Sequence, residues 1–236
     1  MDIITGFHRS GTSAFAGACF MAGLPMGDKE KMLLGLSDNP KGHWEHTDYL
    51  GINDNLLNSN GGSWNEPKPI LSISPPTHMT MRRLSSDDIL VKDPRFCLTA
   101  KIWDELASVN DVFILLRNPL ECIRSLEVRS PGTKFSTSLW LKYNEELLSW
   151  LIKEKKNPMV IEYDFLLSHP FIVADIVRRF LDIHPDHFND HGFIEFIEKG
   201  LKHHDSNGKL PAECRDLYGQ LLSLGEKTFE QISGKP

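Results

Sequence analysis

Cysteine is scarce in this chain: there are four, Cys19, Cys97, Cys122 and Cys214, and no two of them form a Cys-x-x-Cys pair. Such spacing offers neither a metal knuckle nor a dithiol, and Cys19, Cys97 and Cys122 lie among apolar residues, so reduced core thiols are expected. Long apolar runs are missing too, and the first residues, Asp2-Ile3-Ile4-Thr5, read as a strand rather than as a basic segment leading an apolar one. The expectation is therefore no signal peptide, no transmembrane segment and a cytoplasmic location. Positive charge is also short: 26 Lys+Arg against 32 Asp+Glu give a formal net charge of −6. Long-range repulsion makes such a chain a poor partner for nucleic acid, so an anion that binds here must meet a local positive pocket.

What is present is ordinary globular material, 236 residues with 40% hydrophobic and 25% charged side chains, and one domain over residues 1–236 is expected. Short apolar strands are expected at 2–6, 89–91, 111–116 and 159–161. Between and after them, helical periodicity runs over 12–22, 47–58, 94–106, 119–127, 137–155, 171–181, 191–200 and 212–232. Asp93 is the expected N-cap of the 94–106 helix. In the 171–181 helix Ile172, Ile176, Val177 and Phe180 are expected to face inward. Short strands alternating with helices predict an α/β fold, a parallel sheet with helices on both faces in three layers. Residues 59–78 carry Gly61, Gly62, Pro67, Pro69, Pro75 and Pro76, too many breakers for a regular element, and read as a lid or binding loop.

The first strand runs into Gly6-Phe7-His8-Arg9-Ser10-Gly11-Thr12-Ser13 and then a helix. Glycines at both ends let backbone N–H groups turn inward, and the helix N-terminus adds partial positive charge, which suits an anion. In the nucleotide-triphosphate loop G-x-x-x-x-G-K-[ST] a lysine follows the second glycine; here Thr12 stands there and Arg9 is the available cation. His8 is expected to shape the loop. A second anion site is suggested where the 111–116 strand ends in Arg117-Asn118-Pro119, with Ser125 two turns into the next helix. Parallel sheets bind ligands outside the carboxyl ends of their strands, and an arginine there can fork onto a phosphate.

The loop resembles the 5′-phosphosulfate loop of sulfotransferases that use 3′-phosphoadenosine 5′-phosphosulfate (PAPS), in the GxHRSGTS form of bacterial-type members. The resemblance implies a P-loop NTPase-like fold, with Arg9, Ser10, Gly11, Thr12 and Ser13 holding the 5′-phosphosulfate and Arg117 and Ser125 holding the 3′-phosphate. Lys92 resembles the lysine that contacts the transferring sulfuryl group. Asn39-Pro40-Lys41-Gly42-His43-Trp44-Glu45-His46 resembles the NPKGYFE-like segment whose acid is thought to be the base, which carries over to Glu45. His43 and His46 remain chemically competent alternatives. Other branches place a histidine two residues after the lysine, where this chain has Pro94. Glu162-Tyr163-Asp164 resembles a YED-type segment near the nucleotide, so Tyr163 is expected against the adenosine. The Arg-Lys-Gly loop of many eukaryotic members has no match, with Lys202-His203-His204 or Lys209 as substitutes; the resemblance covers roughly residues 2–182.

The expected function is sulfuryl transfer from PAPS to the hydroxyl of a small molecule, lipid or glycan. Glu45, Lys92 and Arg9 would do the chemistry, and no metal is needed. The segment 59–88, with Trp64 and Arg82-Arg83, is expected to shape the acceptor side, and Arg95 either to contact substrate or to pair with an acid. Two alternatives stay open. One is a small-molecule or nucleotide kinase with Asp93 as a magnesium-holding acid; the other is a nucleotide-binding module without chemistry.

Overall fold

A computed structural model of the chain describes residues 1–34, 41–84, 88–197 and 208–233. Its centre is an all-parallel sheet of β1 (Asp2–Thr5), β2 (Leu90–Lys92), β3 (Val112–Leu116) and β4 (Met159–Glu162), in the order β2-β1-β3-β4. Ile3 aligns with Val91 on one side and Val112 on the other, and Phe113 aligns with Met159. Alternate side chains divide between two apolar clusters, as a pleated sheet with both faces covered requires. Ile3, Val91, Val112, Ile114 and Leu116 enter one cluster; Ile4, Leu90, Phe113, Leu115 and Ile161 enter the other.

Ten helices among the described residues supply the cover. Helices α1 (Thr12–Met21), α7 (Tyr163–Ser168), α8 (Pro170–Phe180) and α9 (Asp190–Phe196) pack into the second cluster. The first takes α2 (Thr47–Ser59), α3 (Pro75–Leu84), α4 (Phe96–Ala107), α5 (Pro119–Arg129) and α6 (Thr137–Lys153). The α6 stripe Trp140, Tyr143, Leu147 and Leu151 is buried as expected. The last helix, α10 (Ala212–Ser233), lies against α6 and β4 and adds Leu217 and Leu221 to the first cluster and Ile232 to the second. No helix among the described residues is long and apolar enough to cross a membrane.

The strand order has a consequence for binding. From β1 the chain crosses to β2 at one edge, then returns past β1 to β3 and moves outward to β4. The connections that leave β1 and β3 therefore run to opposite sides, which makes the gap between their carboxyl ends a topological switch point. The loop after β1 carries Arg9, and β3 ends at Arg117.

Several expectations are corrected. Pro75-Pro76, read as loop, open helix α3, because proline in a first turn gives up only N–H groups that have no helical partner anyway. Helix α7 was not foreseen; six residues carry little periodicity, and packing of Leu166 and Leu167 holds it. Ile172 is 43% exposed rather than inward, and Val173 takes the buried position. Helix α4 begins at Phe96, two residues later than expected, after a turn in which the Asp93 carboxylate accepts the Arg95 N–H at 2.8 Å. The helix expected over 191–200 is described only as Asp190–Phe196. Asn39, Pro40 and Lys202-His203-His204 lie outside the described residues.

Candidate anion-binding site

The loop after β1 is shaped by residues on the left-handed side of backbone space. Gly6 has φ 138°, and a Cβ there would stand 2.3 Å from the Leu115 carbonyl oxygen on β3. Gly11 has φ 99°, and its Cβ would stand 2.3 Å from the Tyr163 ring. Both positions therefore demand glycine. Between them Arg9, with φ 67°, carries a strain that non-glycine residues accept mainly at functional sites. Helix α1 starts at Thr12 with no acidic residue in its first turn, so the partial positive charge of its N-terminus is uncompensated there. Ser10 is 1% exposed, and its Oγ has no hydrogen-bond partner among the described residues. Native proteins seldom leave a buried hydroxyl unsatisfied without a reason.

Arg9 Nε donates to Ser125 Oγ at 3.0 Å across 116 positions of sequence. Arg117 donates from Nη1 to the Arg9 carbonyl at 3.2 Å and from Nε to Glu121 at 2.9 Å. Its guanidinium lies over the Tyr163 ring, 4.6 Å from the centroid. The same ring closes on Gly11, so Arg9, Gly11, Arg117, Ser125 and Tyr163 form one cluster at the switch point. A cavity of about 250 Å³ opens beside it, lined by Arg117, Glu121, Glu162, Tyr163, Asp164 and Tyr218 among others. Tyr218 donates its hydroxyl to Glu162 at 2.7 Å. This residue of α10 was missed in the sequence, because no local motif marks it.

A second group sits at the end of β2. Lys92 Nζ donates to Ser13 Oγ at 3.1 Å, to the His43 carbonyl at 3.0 Å, and to the Glu45 carboxylate in a close ion pair. Both partners are buried. Ser13 thus joins this pair to the loop after β1. His43 Nδ1 lies 3.9 Å from the other Glu45 oxygen. His46 instead caps α2, its Nδ1 accepting the Asp48 N–H at 3.3 Å. Asp93 is fully buried and committed: one oxygen accepts from Arg95, the other from Asn53 Nδ2 at 2.9 Å. Arg95 also pairs with Asp54 at 2.6 Å, the acid pairing that was one of its two expected roles.

His8 is buried, and its Nε2 lies 3.1 Å from the Tyr143 hydroxyl. Burial, reinforced by the charges of Arg95, Lys92, Arg129 and Arg9, holds its imidazole well below the usual histidine range. Trp64, from the Gly- and Pro-rich segment, packs on it with ring centroids 4.7 Å apart. Eight of the ten residues assigned to the site from sequence fall into these connected groups; the other two, Ser10 and Thr12, are buried in the loop and at the head of α1. No protein-family model matches the chain, and no curated protein matches it.

Proposed function

We propose that this protein moves a sulfuryl group from PAPS to a hydroxyl-bearing acceptor, a small molecule, lipid or glycan, on a P-loop NTPase-like three-layer fold. The observation that carries this reading is the bond from Arg9, in the first loop, to Ser125, in the second motif. Two motifs far apart in sequence thereby share one site. PAPS has two separated anionic ends and fits such a pair. Its 5′-phosphosulfate suits the loop of Arg9, Ser10, Gly11, Thr12 and Ser13, where the Ser10 hydroxyl lacks a partner among the described residues. Its 3′-phosphate suits Arg117 and Ser125, and the Tyr163 ring offers a face for the nucleoside.

When bound, PAPS supplies an activated sulfuryl group on a phosphate leaving group. The residues do the rest. Lys92, beside Ser13, offsets charge on the sulfuryl oxygens. Glu45 can take the hydroxyl proton only after its ion pair with Lys92 opens toward the bound anion. Four buried, unpaired thiols fit a reducing compartment, which favours the cytoplasm. The kinase alternative drew on Asp93 as a free acid, and both Asp93 oxygens are engaged by Asn53 and Arg95. Thermal melting with 3′-phosphoadenosine 5′-phosphate, against ATP plus magnesium, tests the reading. At one hundred times its dissociation constant a ligand adds about 2.7 kcal/mol, or roughly 5–11 °C for a chain of this size. The bisphosphate should give that shift, and Arg117→Ala should abolish it. A shift with ATP and magnesium alone overturns the proposal.

A further inference from the structure

His8 immediately precedes Arg9, and its hydrogen bonds fix which ring nitrogen carries the proton. Tyr143 Oη lies 2.6 Å from the Trp64 carbonyl oxygen, which can only accept, so the hydroxyl proton points there. The remaining lone pairs of Oη face His8 Nε2, so Nε2 carries the ring proton and donates. Nδ1 is then the nitrogen with the free lone pair. Nδ1 makes no hydrogen bond among the described residues. A basic nitrogen is thereby left without a partner among the described residues, as is the Ser10 hydroxyl in the same loop.

We propose that His8 Nδ1 takes the proton of the attacking hydroxyl, with Tyr143 as the positioning residue that sets its tautomer and Glu45 serving to hold Lys92. This rests on the sulfuryl-transfer reading. The hydroxyl O–H bond breaks and its proton goes to Nδ1. The oxygen forms the new bond to sulfur, and the bond from sulfur to the bridging oxygen of the 5′-phosphate breaks, its electron pair leaving with that oxygen. The imidazolium returns its proton to water. In the free protein burial first, and then the charges of Arg95, Lys92, Arg129 and Arg9, keep the ring neutral. An anionic donor offsets those charges, so the ring becomes a better base when the reaction needs one.

The test uses water as the acceptor and follows release of labelled sulfate from ³⁵S-labelled PAPS, beside melting with 3′-phosphoadenosine 5′-phosphate. His8→Gln keeps an N–H for Tyr143 and has no base. It should retain the melting shift and lose about 100-fold or more of the release rate, together with the acid limb of the wild-type pH profile. Tyr143→Phe should lose rate less and show mixed tautomers in long-range ¹H–¹⁵N imidazole spectra, where the wild type shows the neutral form protonated at Nε2. His8→Gln turning over within threefold of wild type overturns the inference. So does a wild-type ring protonated at Nδ1 at pH 7, or a wild type that binds the bisphosphate and does not speed hydrolysis. Loss of the bisphosphate shift in the wild type is the separate signature of a failed donor reading, and it takes this inference with it.

Discussion

Glu45→Gln isolates the ion pair that ties the 41–46 segment to the sheet. The Lys92 side chain is 1% exposed and that of Glu45 8%, so neither charge is well hydrated. Removing one partner of a buried pair costs about 3–5 kcal/mol, because the other charge is left in low dielectric. Lys92 keeps Ser13 Oγ at 3.1 Å and the His43 carbonyl at 3.0 Å, and a glutamine oxygen still accepts. The low end applies, about 3 kcal/mol, which lowers the melting temperature by roughly 6–12 °C in a chain of this size. Calorimetry at pH 7 reads it. Burial shields the pair from counterions, so the loss should persist in high salt. Glu45→Gln with Lys92→Met should recover part of it, since apolar replacement of a buried pair is often neutral or stabilising. A single variant that melts within 1 °C of wild type, or a double that melts below the single, refutes this account.

Gly11→Ala forces a Cβ to 2.3 Å from the Tyr163 ring at φ 99°. It should cost about 1–3 kcal/mol in backbone strain and abolish the bisphosphate melting shift, with Tyr163→Ala restoring part of the stability. For His8, the folded value lies below the ordinary one near 6.5, so the unfolded chain binds more protons in between. Its contribution to stability is complete above about pH 6.5 and drains away as pH falls below that. Urea midpoints at pH 7.5 and 5.5 should fall further in the wild type than in His8→Gln. Asn53→Ala removes a fully buried amide that donates to Asp93 at 2.9 Å and accepts from Thr99 at 2.9 Å and Trp103 at 2.8 Å. Leaving those groups unpaired should cost about 3 kcal/mol or more in urea unfolding.

The loop after β1 was legible because its demands are local: Gly6 and Gly11 answer a backbone requirement, and Arg9 and Ser10 follow within the same turn. Strand positions were legible for the same reason, since each is a short apolar run bounded by turn residues. Pairings across the sheet were not. Nothing in the local pattern around Glu45 says that it meets Lys92, 47 positions away, and the strand order that brings them together is decided by packing of all the layers at once. The same holds for Tyr218, whose only local signal is an apolar helical stripe, and whose place in the cavity wall follows from α10 lying on β4. The His8 tautomer lies further still from the sequence. It depends on a Trp64 carbonyl in a segment with too many glycines and prolines to assign, reached through a Tyr143 hydroxyl on α6 that periodicity marks only as core. Tyr143 does both jobs: its ring belongs to the apolar stripe, and its hydroxyl orients the one loop histidine. A helix that reads as pure packing can therefore carry a polar contact to a loop wherever its buried end is polar, and the signal to seek is a tyrosine in a core stripe that packs against a loop histidine.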